Sequence, residues 1–302
     1  MTTVHVLPCG TSILRNLGAG VRGSPLTSVQ LGAMGNWADN ELLRDQPASQ
    51  WYESFHRDIG PHLPELRAVQ DPVRLSAETA SLTRYAGRAG GLGPTDLVVL
   101  LASDTPEGVL AALLVAAALR RGIRVHAAPP PNVAGDGELL VGEDSGDQPV
   151  HVMRIPDLLP DSTVRFTAAM SALARGMLWA GQGRRRPNGA ELVVHLSGGY
   201  KATLPYLVVM CEYLKALQRP VQAFCLHEGD PGSAVLPDLV EIFLRSVDLD
   251  ADLAVLAQAA AGHMPTDPRL YDFAYEEVGG RAQLTGIGSV LSAFQFCRGG
   301  GP

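Results

Sequence analysis

Residues 97 to 120 read LVVLLASDTPEGVLAALLVAAALR, and two hydrophobic periods meet inside them. Leu97 to Ala102 is apolar without a break, the pattern of a strand buried on both faces. Ser103 to Gly108 is small and polar. Within it, Thr105, Pro106 and Glu107 supply a capping hydroxyl, a proline for the first turn and an early acid. The spacing predicts a helix over Thr105 to Arg120, stopped at Arg-Arg-Gly. A buried strand that runs through a polar turn into a capped helix is half of a βαβ unit. It places the chain in the α/β class.

Working outward, four more short apolar runs read as buried strands: Val4 to Leu7, Ile123 to Ala127, Leu192 to Leu196 and Val221 to Leu226. A second helix is expected over Leu204 to Leu217, before Pro220. The expected architecture is a Rossmann-like parallel sheet with helices on both faces. Residues 18 to 75, rich in Gly, Pro and Trp, are expected to form an insertion covering part of the sheet. Residues 128 to 156 carry GEDSGD between two apolar runs, which predicts a β-hairpin insertion. From about Gly229 the patterning becomes helical, at 235 to 247, 250 to 261 and 284 to 294. The expected division is a ligand-binding domain over 1–228 and a small, mostly helical C-terminal domain over 229–302, ending in a disordered glycine tail.

The chain has 302 residues, 46% hydrophobic and 18% charged, as a globular protein with a substantial core does. A net charge of -7 argues against a general nucleic-acid binder, since phosphate neutralisation needs clustered basic residues. Cys9, Cys211, Cys225 and Cys297 lack CxxC spacing and read as reduced residues of a cytoplasmic protein. MTTVHVLPCG carries no basic segment leading into a long apolar one, so no signal peptide is expected. The longest apolar run, Val109 to Leu119, is too short to span a bilayer, and no membrane partner is expected.

Three strands end in small polar loops, which is where an open α/β sheet binds its ligands. These loops are Cys9-Gly10-Thr11-Ser12, Ser103-Asp104-Thr105 and Ser197-Gly198-Gly199-Tyr200-Lys201. Such residues also serve as plain helix caps. The third loop, inside HLSGGYKATLP (195 to 205), holds one of only two lysines among 24 basic residues, at a position suited to a compact point charge. Glycines there would let an anion approach the main chain, Lys201 would supply charge, and Arg15 stands near the first loop. No P-loop spacing is present, no GxGxxG follows a strand and no His or carboxylate cluster has metal-ligand spacing, so no cofactor and no metal are expected. His195 reads as a core histidine.

LPCGTSILRN, LLASDTPEGVLAALLVAAAL and HLSGGYKATLPYL together resemble the CRISPR-associated Rossmann fold (CARF) proteins, and within them the compact ring nucleases of type III CRISPR systems. The segments frame roughly residues 4 to 226. The Gly-Gly-aromatic-Lys turn is the most specific of them. The resemblance implies a homodimer that binds a cyclic oligoadenylate, in first place cyclic tetraadenylate, across its two-fold axis. It implies catalytic roles for Ser12 and Lys201, with Gly10, Thr11, Arg15, Asn16, Ser103, Asp104, Thr105, Ser197, Gly198, Gly199 and Tyr200 as ligand-binding residues. By the family's chemistry a ribose 2'-hydroxyl attacks the adjacent phosphodiester without a metal ion and leaves linear 2',3'-cyclic phosphate products. No strong general base is visible in these loops, which predicts slow turnover.

Many CARF proteins carry a HEPN ribonuclease domain marked by R-x4-H on a helix. That spacing occurs at Arg57 to His62 and at Arg121 to His126, but the first pair spans Gly60-Pro61 and the second falls on an expected strand. Small family members often end in a winged-helix-like segment, with RAQLTGIGSVLSAF as the candidate last helix here. Ten acids against four arginines after residue 228 argue against duplex DNA as its partner. Two other classes share these loops: a sensor that binds the ring without cutting it, and a biosynthetic enzyme using the same fold on another nucleotide-like ligand.

Overall fold

The computed structural model describes residues 2–18, 26–37, 57–62, 64, 66, 73, 75–129, 138–141, 147–159, 163–182, 190–227, 238–292 and 294. Six parallel strands form the body of one sheet: β1 (Thr3–Cys9), β2 (Leu97–Ala102), β3 (Ile123–His126), β5 (Val150–Arg154), β6 (Glu191–His195) and β7 (Val221–His227). β4 (Glu138–Val141) and β8 (Asp238–Glu241) flank it, each antiparallel to its neighbour, in the order β4-β3-β5-β2-β1-β6-β7-β8. This is the expected α/β, Rossmann-like arrangement.

Register follows from the two-residue period of each strand. Val4 and Val6 of β1 face one side with Leu97, Val99, Leu192 and Val194, while His5, Leu7 and Cys9 face the other with Val98, Leu100 and Ala102. Helices α1 (Ser12–Gly18), α2 (Ser28–Trp37), α3 (Ala77–Ala89) and α4 (Pro106–Ala118) cover the His5 side. Helices α5 (Thr163–Gln182), α6 (Leu204–Ala216), α7 (Leu249–Ala260) and α8 (Gly286–Ser292) cover the other. α4 is apolar all round and buried from Gly108 to Ala117, because it lies between the sheet and α1 and α2. The described parts of the 18 to 75 insertion put Leu26, Met34, Trp37, Ile59, Leu66 and Leu75 into that layer. The remainder of the insertion lies outside the described residues, as do Cys297 and the glycine tail.

The structure departs from expectation at three places. The two apolar runs on either side of GEDSGD do not pair. β4 turns back along the outer edge of β3, and β5 inserts between β3 and β2, parallel to both. Val150 and Val152 pack on one face of β5 and His151 and Met153 on the other, so only an interior position buries both. Residues 238–241, expected inside a helix over 235 to 247, instead extend the sheet beside β7. The third departure is a hairpin, β9 (Tyr275–Val278) with β10 (Arg281–Leu284), turning through Gly279 and Gly280 at φ 61° and 77°. Arg281–Leu284 of the candidate last helix is therefore strand, and the helix begins at Gly286.

The C-terminal segment shares the core of the sheet. Leu249, Leu256, Tyr275, Leu291 and Phe294 pack in one cluster with Leu207, Met210, Leu214 and Leu173. Neither R-x4-H pair forms a HEPN-type constellation. Arg121 is buried and donates to the carbonyls of Asp96 and Gly93, while His126 pairs with His151. Among the described residues no helix is long and apolar enough to cross a membrane.

Candidate functional site

Strand order reverses at β1. β2 lies on one side of it and β6 on the other, and the helices that follow β1 and β6 go to opposite faces. The carboxyl ends of β1 and β6 are thus the switch point at which an open α/β sheet places its ligand.

The two loops there are closely packed, and their glycines are what allows it. A Cβ on Gly199 would come within 2.6 Å of the Pro8 side chain, one on Gly10 within 3.1 Å of the Gly199 nitrogen, and one on Gly198 would overlap the Glu78 carboxylate. Gly199 also has φ 82°, which a side chain disfavours. The glycine pair therefore serves the contact between β1 and the β6 loop, a purpose its sequence context does not disclose.

Glu78 lies where the two loops meet. It stands in the first turn of α3, whose start is fixed by a capping box: Ser76 Oγ accepts the Thr79 N–H at 3.2 Å and Thr79 Oγ1 accepts the Ser76 N–H at 3.1 Å. The Glu78 side chain is buried. Its Oε1 accepts the Gly10 N–H at 2.7 Å, and its Oε2 accepts the Ser12 hydroxyl at 3.5 Å. Burial, with Glu78 adding to it, pushes the neighbouring Cys9 thiol up.

Around this centre several donors have no partner among the described residues. These are the N–H groups of Gly199 and Tyr200, the ammonium of Lys201 and the guanidinium of Arg15, and both cations are exposed. Lys201 opens a short 3-10 turn, Lys201–Thr203, ahead of α6, and the Thr203 hydroxyl donates to the Tyr200 carbonyl at 2.7 Å. Thr11 is exposed at the head of α1. Tyr200 stands with its ring edge-on to Phe166, centroids 5.8 Å apart.

Other expected site residues are held by the fold. Ser197 Oγ accepts the Leu226 N–H at 2.7 Å, and Asn16 donates to the Leu75 carbonyl at 2.9 Å. In the β2 loop, Thr105 caps α4 by accepting the Gly108 N–H at 3.0 Å, and Ser103 Oγ lies 3.2 Å from Thr105 Oγ1. Asp104 accepts from the Arg154 guanidinium and, at 2.8 Å, from the Asp157 N–H. That side chain clamps the ends of β2 and β5 together.

Beneath these loops His195 and His5 form a buried pair, with ring nitrogens 3.1 Å apart and Ser81 Oγ 2.8 Å from His195 Nδ1. Burial pulls the His5 imidazole down to about 4 and holds His195 well below its ordinary value. Both are neutral core residues at physiological pH, as the sequence suggests for His195. Among the described residues no three or more His, Cys, Asp or Glu side chains are grouped to hold a metal ion.

A family model described as CRISPR-associated protein (Cas_APE2256) matches residues 73–237, more than half of the chain. The chain belongs to this CRISPR-associated family. The Cas_APE2256 match takes in Glu78, the β2 loop and the glycine loop with Lys201, and leaves β1 with Ser12 outside it. No curated protein matches the chain. Sequence reasoning alone misses Glu78 and Arg154. The single cue for Glu78 is an acid two residues after a capping serine, which ordinary helix starts share.

Proposed function

We propose that this Cas_APE2256 protein is a CARF-type ring nuclease. Two copies bind a cyclic oligoadenylate across the carboxyl ends of β1 and β6 and open it to linear products with 2',3'-cyclic phosphate ends, which would switch off a type III CRISPR signal. The observation that carries this reading is the row of successive amides, Gly199 and Tyr200, running into Lys201, none of which has a partner among the described residues. Such a row is suited to the nonbridging oxygens of a phosphodiester, and a lysine at its end to the charge that develops as the bond breaks. Thr11, on the facing loop, and Arg15, in the first turn of α1, would meet the ribose and phosphate of a neighbouring nucleotide. Membership of a CRISPR-associated family supports a signalling ligand over a metabolite.

The test is to incubate the purified protein with cyclic tri-, tetra- and hexaadenylate in the presence of chelator and to follow binding and products by mass spectrometry. Conversion of one ring to linear 2',3'-cyclic phosphate species is the expected result. Tight binding without products would replace the nuclease by a sensor. No interaction with any ring would overturn the reading in favour of another nucleotide-like ligand.

A further inference from the structure

Resting on the ring-cleavage reading, we propose that Glu78 is the residue that positions Ser12 and takes up the proton released when the ring is cut. Glu78 is 1% exposed and has no cation paired with it among the described residues. A buried carboxylate without a counter-ion costs several kcal/mol unless strong donors compensate. Here the compensation is the N-terminal turn of α3, the Gly10 N–H and the Ser12 hydroxyl. The fold thus keeps a proton acceptor at the junction of the two loops that carry Ser12 and Lys201.

Two consequences follow for chemistry. Glu78 occupies the Gly10 amide, so that amide is not offered to a phosphate, and the scissile group is left to the amides of Gly199 and Tyr200. The carboxylate also fixes the direction of the Ser12 hydroxyl. With its hydrogen given to Glu78 Oε2, Ser12 Oγ presents lone pairs to a ribose 2'-hydroxyl. As the 2'-oxygen bonds to phosphorus, its proton passes to Ser12 Oγ while the Ser12 proton passes to Glu78. The bond from phosphorus to the 5'-oxygen breaks, and that oxygen takes a proton from the Lys201 ammonium. The step is an internal transesterification that consumes no co-reactant, and solvent returns both residues to their starting states.

The variant E78Q keeps an oxygen for the Gly10 N–H but turns an NH2 group toward Ser12, which reverses that hydrogen bond. Binding of the ring that the wild type cleaves, measured by calorimetry, is expected to stay within about threefold, while single-turnover cleavage falls about a hundredfold. S12A is expected to lose a similar factor in cleavage with little change in affinity, and adding E78Q to S12A is expected to cost little more. A purely structural Glu78 would instead lower affinity, cleavage and thermal midpoint together. Cleavage by E78Q within threefold of wild type would overturn the proposal. Should E78Q not fold, cleavage by S12A within threefold of wild type would overturn it equally. A wild type that cuts no ring is a separate outcome, which defeats the reading beneath and not the role of Glu78 alone.

Discussion

The loops after β2 and after β6 are alike in composition, small and polar between a buried strand and a helix, yet they end in opposite conditions. After β2, Thr105 caps its helix and Asp104 is taken by Arg154 and the Asp157 amide. After β6, two successive amides, Gly199 and Tyr200, and Lys201 have no partner among the described residues. The first loop spends its polarity inside the fold and the second keeps it for something outside. Small polar residues at a strand end are therefore only half of a site signal; the other half is whether a neighbouring strand supplies the partner. β5 supplies it to the β2 loop through Arg154, and the turn after β5 through the Asp157 amide.

The sharpest way to break the comparison is Lys201→Ala. Loss of the one formal charge in the open loop should reduce ring cleavage at least about a hundredfold and weaken ring binding, with the thermal midpoint nearly unchanged because Lys201 is exposed. Unaltered cleavage would remove the loop from the site. Gly198→Ala comes next. Its methyl group would overlap Glu78 and lie 2.7 Å from the Pro8 carbonyl oxygen, so a loss of about 3 kcal/mol or more is expected by denaturant unfolding. A mild effect would mean that the two loops are not packed as described.

Much of this fold is legible before any coordinates, and the exceptions have physical causes. β1, β2, β3, β6 and β7 read as strands because each is a short apolar run bounded by turn residues. β5 reads as an arm of a hairpin and not as an interior strand, because His151 and Arg154 interrupt its apolar run and the acidic turn beside it imitates a hairpin. β8 escapes because its burial alternates poorly, with Phe243 just after it 95% exposed, and it is strand only through pairing with β7. Within the candidate site, the glycine pair and Lys201 are visible as unusual. Glu78 is not, since it lies 68 residues from Gly10 and only the sheet brings them together. Asp104 shows the reverse failure, a residue that looks like a ligand contact until its partner Arg154, 50 residues on, is placed.

The buried His5–His195 pair predicts how the open half responds to acid. A free histidine titrates near 6.5, whereas burial holds His5 at about 4. Between those values the unfolded chain binds a proton that the folded chain refuses, so stability is whole above pH 6.5 and falls as pH drops toward 4. For His5 the loss amounts to about 3 kcal/mol at most. Urea unfolding at pH 7.5 and pH 4.5 should show it, and His5→Gln, though less stable at pH 7.5, should flatten the dependence. An equally steep dependence in the variant would assign the acid loss elsewhere.

The smallest effect belongs to the closed loop. Asp104→Ala strips Arg154 of its carboxylate at a site where both side chains are mostly buried, and leaves the Asp157 amide without its acceptor. The expected cost is about 2 kcal/mol, less than a fully buried ion pair because some solvent reaches the guanidinium. Ring affinity, measured by calorimetry below the unfolding transition, should fall less than tenfold, far short of the loss in Lys201→Ala. If Asp104→Ala instead weakened the ring as much as Lys201→Ala and left stability intact, the two loops would not differ in kind. The β2 loop would then be a second arm of the site, and its ion pair with Arg154 a contact that opens when ligand arrives.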